Sequence, residues 1–182
     1  LILDEVQTGL GRLGTLFGYE AFEVEPDVMT LAKGLGGGVP IGAFLAKEKC
    51  AVLAPGDHGS TFGGNALTCA AAYASTKYII DNDVPAHARR MGEHLRRGLN
   101  GIKDRHEFVK EVRGVGLLDA AEFDIEISAG VLDACRERGL LLVLPPAPNA
   151  IRLIPPLTIT ESEIDRGLEI LEAGMVAAAE GR

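Results

Sequence analysis

Three short stretches of this sequence gather residue types able to do covalent chemistry on a small ligand. Asp4-Glu5-Val6-Gln7-Thr8-Gly9 sets two carboxylates at the end of an apolar run. Thr30-Leu31-Ala32-Lys33-Gly34-Leu35-Gly36-Gly37-Gly38 sets one lysine between apolar residues and glycines, and Gly59-Ser60-Thr61-Phe62-Gly63-Gly64-Asn65 offers hydroxyls beside backbone donors. Singly, each has a plain structural reading: Asp4 ends a strand, Lys33 is solvated, and Thr61 caps a helix at Asn65. Together they offer a primary amine, an acid for a ring nitrogen and a cradle for a phosphate, which is what a pyridoxal phosphate site requires. A free lysine, with a pKa of about 10.4, acts as a base near neutral pH only where burial or neighbouring positive charge depresses that value. The reading therefore calls for a dry setting around Lys33.

Other patterns compete with this one. Gly9-Leu10-Gly11-Arg12-Leu13-Gly14 spells G-x-G-x-x-G, which would make the chain a nicotinamide dinucleotide-binding module. That turn needs its first glycine directly after a strand and a helix opening from its last, whereas Asp4 to Thr8 intervene and Thr15 to Pro26 lacks helical periodicity. The phosphate loop G-x-x-x-x-G-K-[ST] is absent, so a nucleotide triphosphatase has no support. A third reading is a noncatalytic structural fragment. Cys50, Cys69 and Cys135 form no Cys-x-x-Cys pair and suggest neither a disulfide framework nor a metal site, and a reducing cytoplasm fits them. His58, His87, His94 and His106 are scattered and read as solvated.

The elements that must position these groups follow from the pattern. Leu1 to Leu3, Val28 to Leu31 and Ile41 to Ala46 are candidate strands, and the carboxylates and the lysine follow the first two, where ligands gather in open α/β sheets. Asn65 to Ile80 is alanine-rich and apolar nearly all round, which predicts a helix buried on most of its faces. Ala88, Met91, Leu95, Leu99 and Ile102 mark an amphipathic helix that Pro85 opens. Beyond Lys103 come strands at Val109 to Val112, Leu117 to Glu122, Leu140 to Leu144 and Ala150 to Ile154. A helix from Ile127 to Arg138, closed by Gly139, interrupts them. Thr160-Glu161-Ser162-Glu163 is a capping box that opens a last helix through Ile164, Leu168, Leu171 and Met175.

Composition bounds the rest. With 182 residues, 47% of them hydrophobic and 24% charged, the chain has material for a buried core. Its net charge of −8 repels nucleic acid and anionic lipid headgroups, and no apolar run approaches the ~18 residues that span a bilayer. Neither a nucleic-acid nor a membrane partner is expected.

The strings LILDEVQTGLGRLG, DVMTLAKGLGGGVPIGA, HGSTFGGNALTCAAA and IRLIPPLTIT, in this order along essentially the whole chain, resemble the class III pyridoxal phosphate-dependent aminotransferases. The resemblance implies an α/β chain with the type I aminotransferase fold. Residues 1–104 would be the second half of the large, mostly parallel cofactor-binding domain, and 105–182 the C-terminal α+β small domain. It implies a homodimer with shared active sites, acting on an amino acid and a 2-oxo acid. The strings look most like members that transaminate N2-acetylornithine with 2-oxoglutarate in arginine biosynthesis; ornithine, succinylornithine and 4-aminobutyrate are the alternative donors.

By the same resemblance, Lys33 holds the cofactor through its amine and moves the substrate proton, and Asp4 pairs with the ring nitrogen. Gln7 lies beside the phenolic oxygen, Thr61 reaches the phosphate of the partner subunit's cofactor, and Arg152 grips the substrate α-carboxylate. Glu5 and Arg12 lie within a matched string and receive no role; no metal is implied. The family's ring-stacking aromatic residue and first phosphate-binding turn would precede Leu1. The sequence therefore reads as the later part of a longer chain, inactive or nearly so in isolation. Two departures stand out: Leu13 where threonine is common, and Leu118-Asp119-Ala120-Ala121 in place of a more apolar strand.

Overall fold

The computed structural model describes residues 1–143 and 147–181. The chain falls into two compact units, Leu1–Ala86 and His87–Arg182. The division precedes the expected boundary at residue 104 because one long helix carries its buried stripe into the core of the second unit.

The first unit is built on strand β1 (Ile2–Asp4), the single-turn helix α1 (Gly18–Ala21), β2 (Val28–Leu31), β3 (Ala43–Ala46) and helix α2 (Ala66–Asp81). β2 is central, parallel to β1 in the register Ile2↔Val28, Leu3↔Met29, Asp4↔Thr30, and antiparallel to β3. A parallel pair needs a crossover, and residues 5–27 provide it. Met29 and Leu31, alternate residues of β2, turn into the core with Leu10 and Leu13 of the crossover.

Helix α2 starts at Asn65, whose side chain accepts a hydrogen bond from the Thr68 amide at 3.1 Å. The cap is thus Asn65 itself and not Thr61. Burial of α2 differs from the expectation: Thr68, Ala72 and Ile79 are buried in one stripe, while Leu67, Tyr73, Tyr78 and Ile80 are exposed. Its composition has no polar side to set a phase, and its own unit covers only the stripe near the Lys33–Gly36 turn, where the Ser75 hydroxyl donates to Gly34 O at 3.4 Å.

The second unit takes its first element, α3 (Val84–Arg105), from His87 onward. β4 (Val109–Val115), β5 (Leu118–Phe123), α4 (Ser128–Glu137), β6 (Ala150–Leu153) and α5 (Glu161–Glu180) follow. The three strands form an antiparallel sheet in sequence order. Ala88, Met91, Leu95, Leu99 and Ile102 of α3 are all buried, as their spacing predicts, against Phe123, Val131, Ile151, Leu171 and Met175. Each large apolar side chain so enclosed contributes ~1.5–3 kcal/mol. Gly139, at φ 86°, ends α4: its amide bonds Arg136 O and the Leu140 amide bonds Cys135 O, satisfying two terminal carbonyls. The expected capping box opens α5, with the Thr160 hydroxyl and the Glu163 carboxyl each accepting the other's backbone amide. These bonds hold the Glu163 carboxyl below its ordinary pKa.

Two expectations are corrected here. Among the described residues, Leu140 to Val143 form no strand and have no pairing partner: Leu140 and Leu142 pack on the core and Leu141 and Val143 face outward. Leu144 lies outside the described residues. His87, His94 and His106 are half-buried and bonded to Ile159 O, Asp165 and Glu172 at 2.9, 2.6 and 2.8 Å; only His58 is exposed. Their partners lie far along the chain, beyond any local pattern.

The Leu118–Ala121 departure leaves the sheet intact, with β5 paired on both sides. Asp119 turns into the core, where Arg96 donates to its Oδ1 at 2.8 Å and its Oδ2 is enclosed without a partner. Burial outweighs the Arg96 bond and pushes its pKa up to about 6. No helix among the described residues is long and apolar enough to cross a membrane.

Two measurements follow. A methyl group at Gly92 would stand 1.7 Å from Gly116 O, in the β4–β5 turn, whereas one at Gly101 would meet only the tip of Arg105. Gly92→Ala should therefore cost ~3 kcal/mol or more in urea unfolding, and Gly101→Ala should add ~0.5–1 kcal/mol. The second concerns Asp119, whose folded pKa is raised. Its neutral form stabilises the fold fully below pH ~4, and that contribution is lost as pH rises through about 6. Asp119→Asn should thus gain ~2–3 kcal/mol relative to the parent between pH 4 and pH 7.5; an unchanged difference would contradict it.

Candidate active site

The parallel pairing of β1 and β2 decides where chemistry can gather. Asp4 is the last residue of β1 and lies beside Thr30, and Lys33 follows three residues later, just beyond the end of β2. Strands pair at ~4.8 Å and three residues span at most ~11 Å, so both side chains rise from one edge of one sheet. That edge lies at the carboxyl ends of the strands, where open α/β sheets bind ligands.

Asp4 is exposed and oriented: its Oδ1 accepts from the Val6 amide at 2.9 Å and from the Thr30 hydroxyl at 3.3 Å. The second carboxyl oxygen has no hydrogen-bond partner among the described residues. Lys33 opens a short 3-10 turn, Lys33–Gly36, from an extended Ala32, and adopts φ 46°. A non-glycine residue in the left-handed region carries backbone strain of ~1 kcal/mol or more, which the surrounding structure must impose. Gly37 at φ 60° and Gly38 at φ 112° follow, so glycine supplies the conformations that end the turn. The lysine side chain is exposed; the dry setting expected from its role is not formed by its own unit.

Gln7 stands in the run of turns after β1, half-buried, its amide without a hydrogen-bond partner among the described residues. The loop that carries it is pinned by Glu5, whose importance the sequence analysis missed. Glu5 is 4% exposed and accepts the Thr8 hydroxyl, the Gly18 amide at 2.9 Å and the Tyr19 amide at 2.7 Å. One signal was present: adjacent residues at a strand end point to opposite sides, so of two consecutive carboxylates one faces the interior. Arg12, in the same loop, is partly buried, and burial lowers its guanidinium pKa.

The Gly9–Gly14 turn does not have the geometry of a dinucleotide site. No helix opens from Gly14; instead the Gly11 amide bonds Leu16 O and the Gly14 amide bonds Gly11 O in successive turns. Gly9 is small for a packing reason, since a methyl group there would stand 3.0 Å from Glu5 O and 3.1 Å from Leu31 Cδ2.

Thr61 lies on the exposed segment before α2, and no hydrogen bond joins it to Asp4, Gln7 or Lys33. Arg152 is on β6, the edge strand of the sheet in the second unit, opposite Ala120. Its Nε is enclosed without a partner, and the residue borders an apolar cleft of about 230 Å³ with Leu140, Leu142, Ile154, Pro156 and Leu168. A guanidinium with an unmet donor beside apolar walls suits a carboxylate. Asp4, Gln7 and Lys33 are thus carried by one sheet edge and its loop, while Thr61 and Arg152 are placed separately.

Comparison with known proteins gives this arrangement a context. The chain is 50% identical over 171 residues to acetylornithine aminotransferase of Caldanaerobacter subterraneus, covering 94% of this chain and 43% of that protein. It is 48% identical over 172 residues to the enzyme of the same name from Methanothermobacter thermautotrophicus, covering 94% and 44%. Among solved structures, an ornithine aminotransferase from Toxoplasma gondii, reported with partial occupancy of PLP at its active site, matches at TM-score 0.91 and 38% identity over 100% of this chain and 43% of that one. An N-acetylornithine aminotransferase from Stenotrophomonas maltophilia matches at TM-score 0.88 and 37% identity over 100% and 48%. This chain spans less than half the length of those proteins. The family model described as aminotransferase class-III matches residues 1–175, and with these relatives it shows that the chain belongs to the class-III aminotransferases and has their fold.

Proposed function

We propose that this chain supplies the lysine, ring-nitrogen acid and substrate arginine of a pyridoxal phosphate-dependent aminotransferase that uses N2-acetylornithine as donor and 2-oxoglutarate as acceptor. The observation that carries the reading is the placement of Asp4 and Lys33 at the carboxyl edge of one parallel strand pair, in a chain of this family. The residues suit the cofactor: an oriented carboxyl, an amine held at a strained backbone position, and an amide with no partner stand along one loop and edge. The relatives named for acetylornithine support that donor, and the ornithine enzymes among the solved structures keep ornithine as the alternative.

When bound, the cofactor would supply an electron sink for the charge left at the carbon that bears the transferred amine, which in N2-acetylornithine is the δ-carbon because its α-amine is acylated. The protein does the rest. The Lys33 Nζ would hold the cofactor covalently and, when free, would take the proton from the carbon that bears the transferred amine. Asp4, fixed by the Val6 amide and the Thr30 hydroxyl, would pair with the ring nitrogen and keep it protonated. Gln7 donates to the phenolic oxygen without adding charge. The Arg152 fork would orient the substrate α-carboxylate that adjoins the reacting carbon, as in 2-oxoglutarate. Thr61, on an exposed segment, serves the phosphate of a second subunit's cofactor, which makes the enzyme a homodimer with shared sites. In the family's division the cofactor-binding domain runs to about residue 104, within the last turn of α3, and the three free thiols fit a reducing cytoplasm.

The test is made on the whole enzyme that contains this chain. Borohydride should abolish its visible absorbance and leave a label on Lys33, and Lys33→Ala should remove both; a dinucleotide bound instead would overturn the reading. Asp4→Asn should keep the cofactor and lower kcat by ~10²-fold or more. Arg152→Lys should raise KM for 2-oxoglutarate about tenfold with a smaller change in kcat, and an unchanged KM removes Arg152 from the site.

A further inference from the structure

Glu5 touches none of the atoms proposed to react, yet it lies between the residues that do. Its backbone amide bonds Thr30 O at 3.0 Å, extending the β1–β2 pairing by one step past Asp4. Its backbone carbonyl accepts the Gly9 amide at 3.0 Å. Its side chain, almost fully buried, joins three donors from two places: the Thr8 hydroxyl within the loop and the amides of Gly18 and Tyr19 at the start of α1. The protein makes room for this carboxyl, because a methyl group at Gly18 would stand 2.7 Å from Glu5 Oε2 and 3.0 Å from Thr8 Cβ.

The loop closed by these bonds has two faces toward the proposed site. It carries Gln7 in its first turn. It also carries Leu10, buried and at φ 56°, whose Cδ1 would be 3.8 Å from a methyl group at Gly34, the residue after Lys33. Gly9 backs onto Leu31 in the same way. The Glu5 carboxyl therefore fixes at once the end of β1, the position of Gln7 and the floor beneath the lysine turn. A shift in any of these moves an amine, an acid or an amide relative to the others.

We infer that Glu5 is a positioning residue for the Asp4–Gln7–Lys33 constellation, acting through the loop that its carboxyl clamps to α1. This rests on the function proposed above. A side-chain amide cannot replace the carboxyl, because its NH2 group would face donors where an acceptor is needed. Aspartate, shorter by one methylene, falls short of the Gly18 and Tyr19 amides.

The experiment uses the whole enzyme loaded with pyridoxal phosphate and compares the parent with Glu5→Gln, Thr8→Val and Gly18→Ala. Each variant weakens the clamp from a different side. Gly98→Ala, whose added methyl would meet Leu168 in the second unit, controls for lost stability alone. The readouts are the dissociation constant for pyridoxal phosphate, the position of the visible band and the pH midpoint of its change. Supporting partners of this kind shift affinity by about 10–100-fold when removed. Glu5→Gln should therefore bind the cofactor at least about tenfold more weakly and move the pH midpoint by about half a unit or more, with Thr8→Val and Gly18→Ala moving it in the same direction. Gly98→Ala should lower Tm and leave all three readouts unchanged.

If Glu5→Gln fails to fold, Thr8→Val carries the test, since valine keeps the shape of threonine and removes only the hydroxyl. Clamp variants that lose stability but keep the parent's affinity, band and midpoint show a purely structural carboxyl and overturn the inference, leaving the proposed function in place. A parent that forms no borohydride-reducible bond at Lys33 overturns both.

Discussion

The parallel register of β1 and β2 is the constraint from which the first unit follows. Parallel strands cannot be joined by a tight turn, so the chain must leave β1, cross over and return, and both strands then end at the same edge. Asp4 and the Lys33 turn are neighbours only because Asp4 sits opposite Thr30. A slip of one residue would exchange the faces of Asp4 and Glu5, sending the exposed carboxyl inward and the clamping one out. Two adjacent acids thus have opposite fates, set by the alternation of the strand and by what waits on each side.

The second unit has a different logic. Its core is a sheet covered by helices that approach closely where side chains are missing. Gly92 admits the β4–β5 turn, Gly98 admits Leu168, and Gly174 lies against Cys135. Close approach of this kind leaves little slack, since tightly packed interiors transmit small displacements. Into this core the chain places Asp119, held by Arg96 but with one oxygen unmet. It lies opposite Leu153, the neighbour of Arg152, and the strand pairing is complete around it.

Much of this was legible in the amino-acid order, and what was legible was local. The stripe from Ala88 to Ile102, the capping box at Thr160 and the closing glycine at 139 each depend on residues within a turn or two, and the structure has all three. The apolar runs that form β1 and β2 could be read, and so could the acid and the lysine that follow them. Features that depend on distant residues could not. Glu5 finds Gly18 and Tyr19 thirteen and fourteen residues away, and His94 finds Asp165 at a separation of 71. The covered face of helix α2 is not legible because an element apolar on all sides contains no record of which side its own unit covers, and neither is the fate of Leu140 to Val143, because alternation without a partner looks the same as alternation with one.

The left-handed backbone at Lys33 has a consequence for how this site is maintained. At φ 46° glycine is comfortable and lysine is not, so the conformation itself favours loss of the amine by ~1 kcal/mol. Under the function proposed above, stability and turnover pull this one position in opposite directions, and a lineage released from the second would find the first pointing toward glycine.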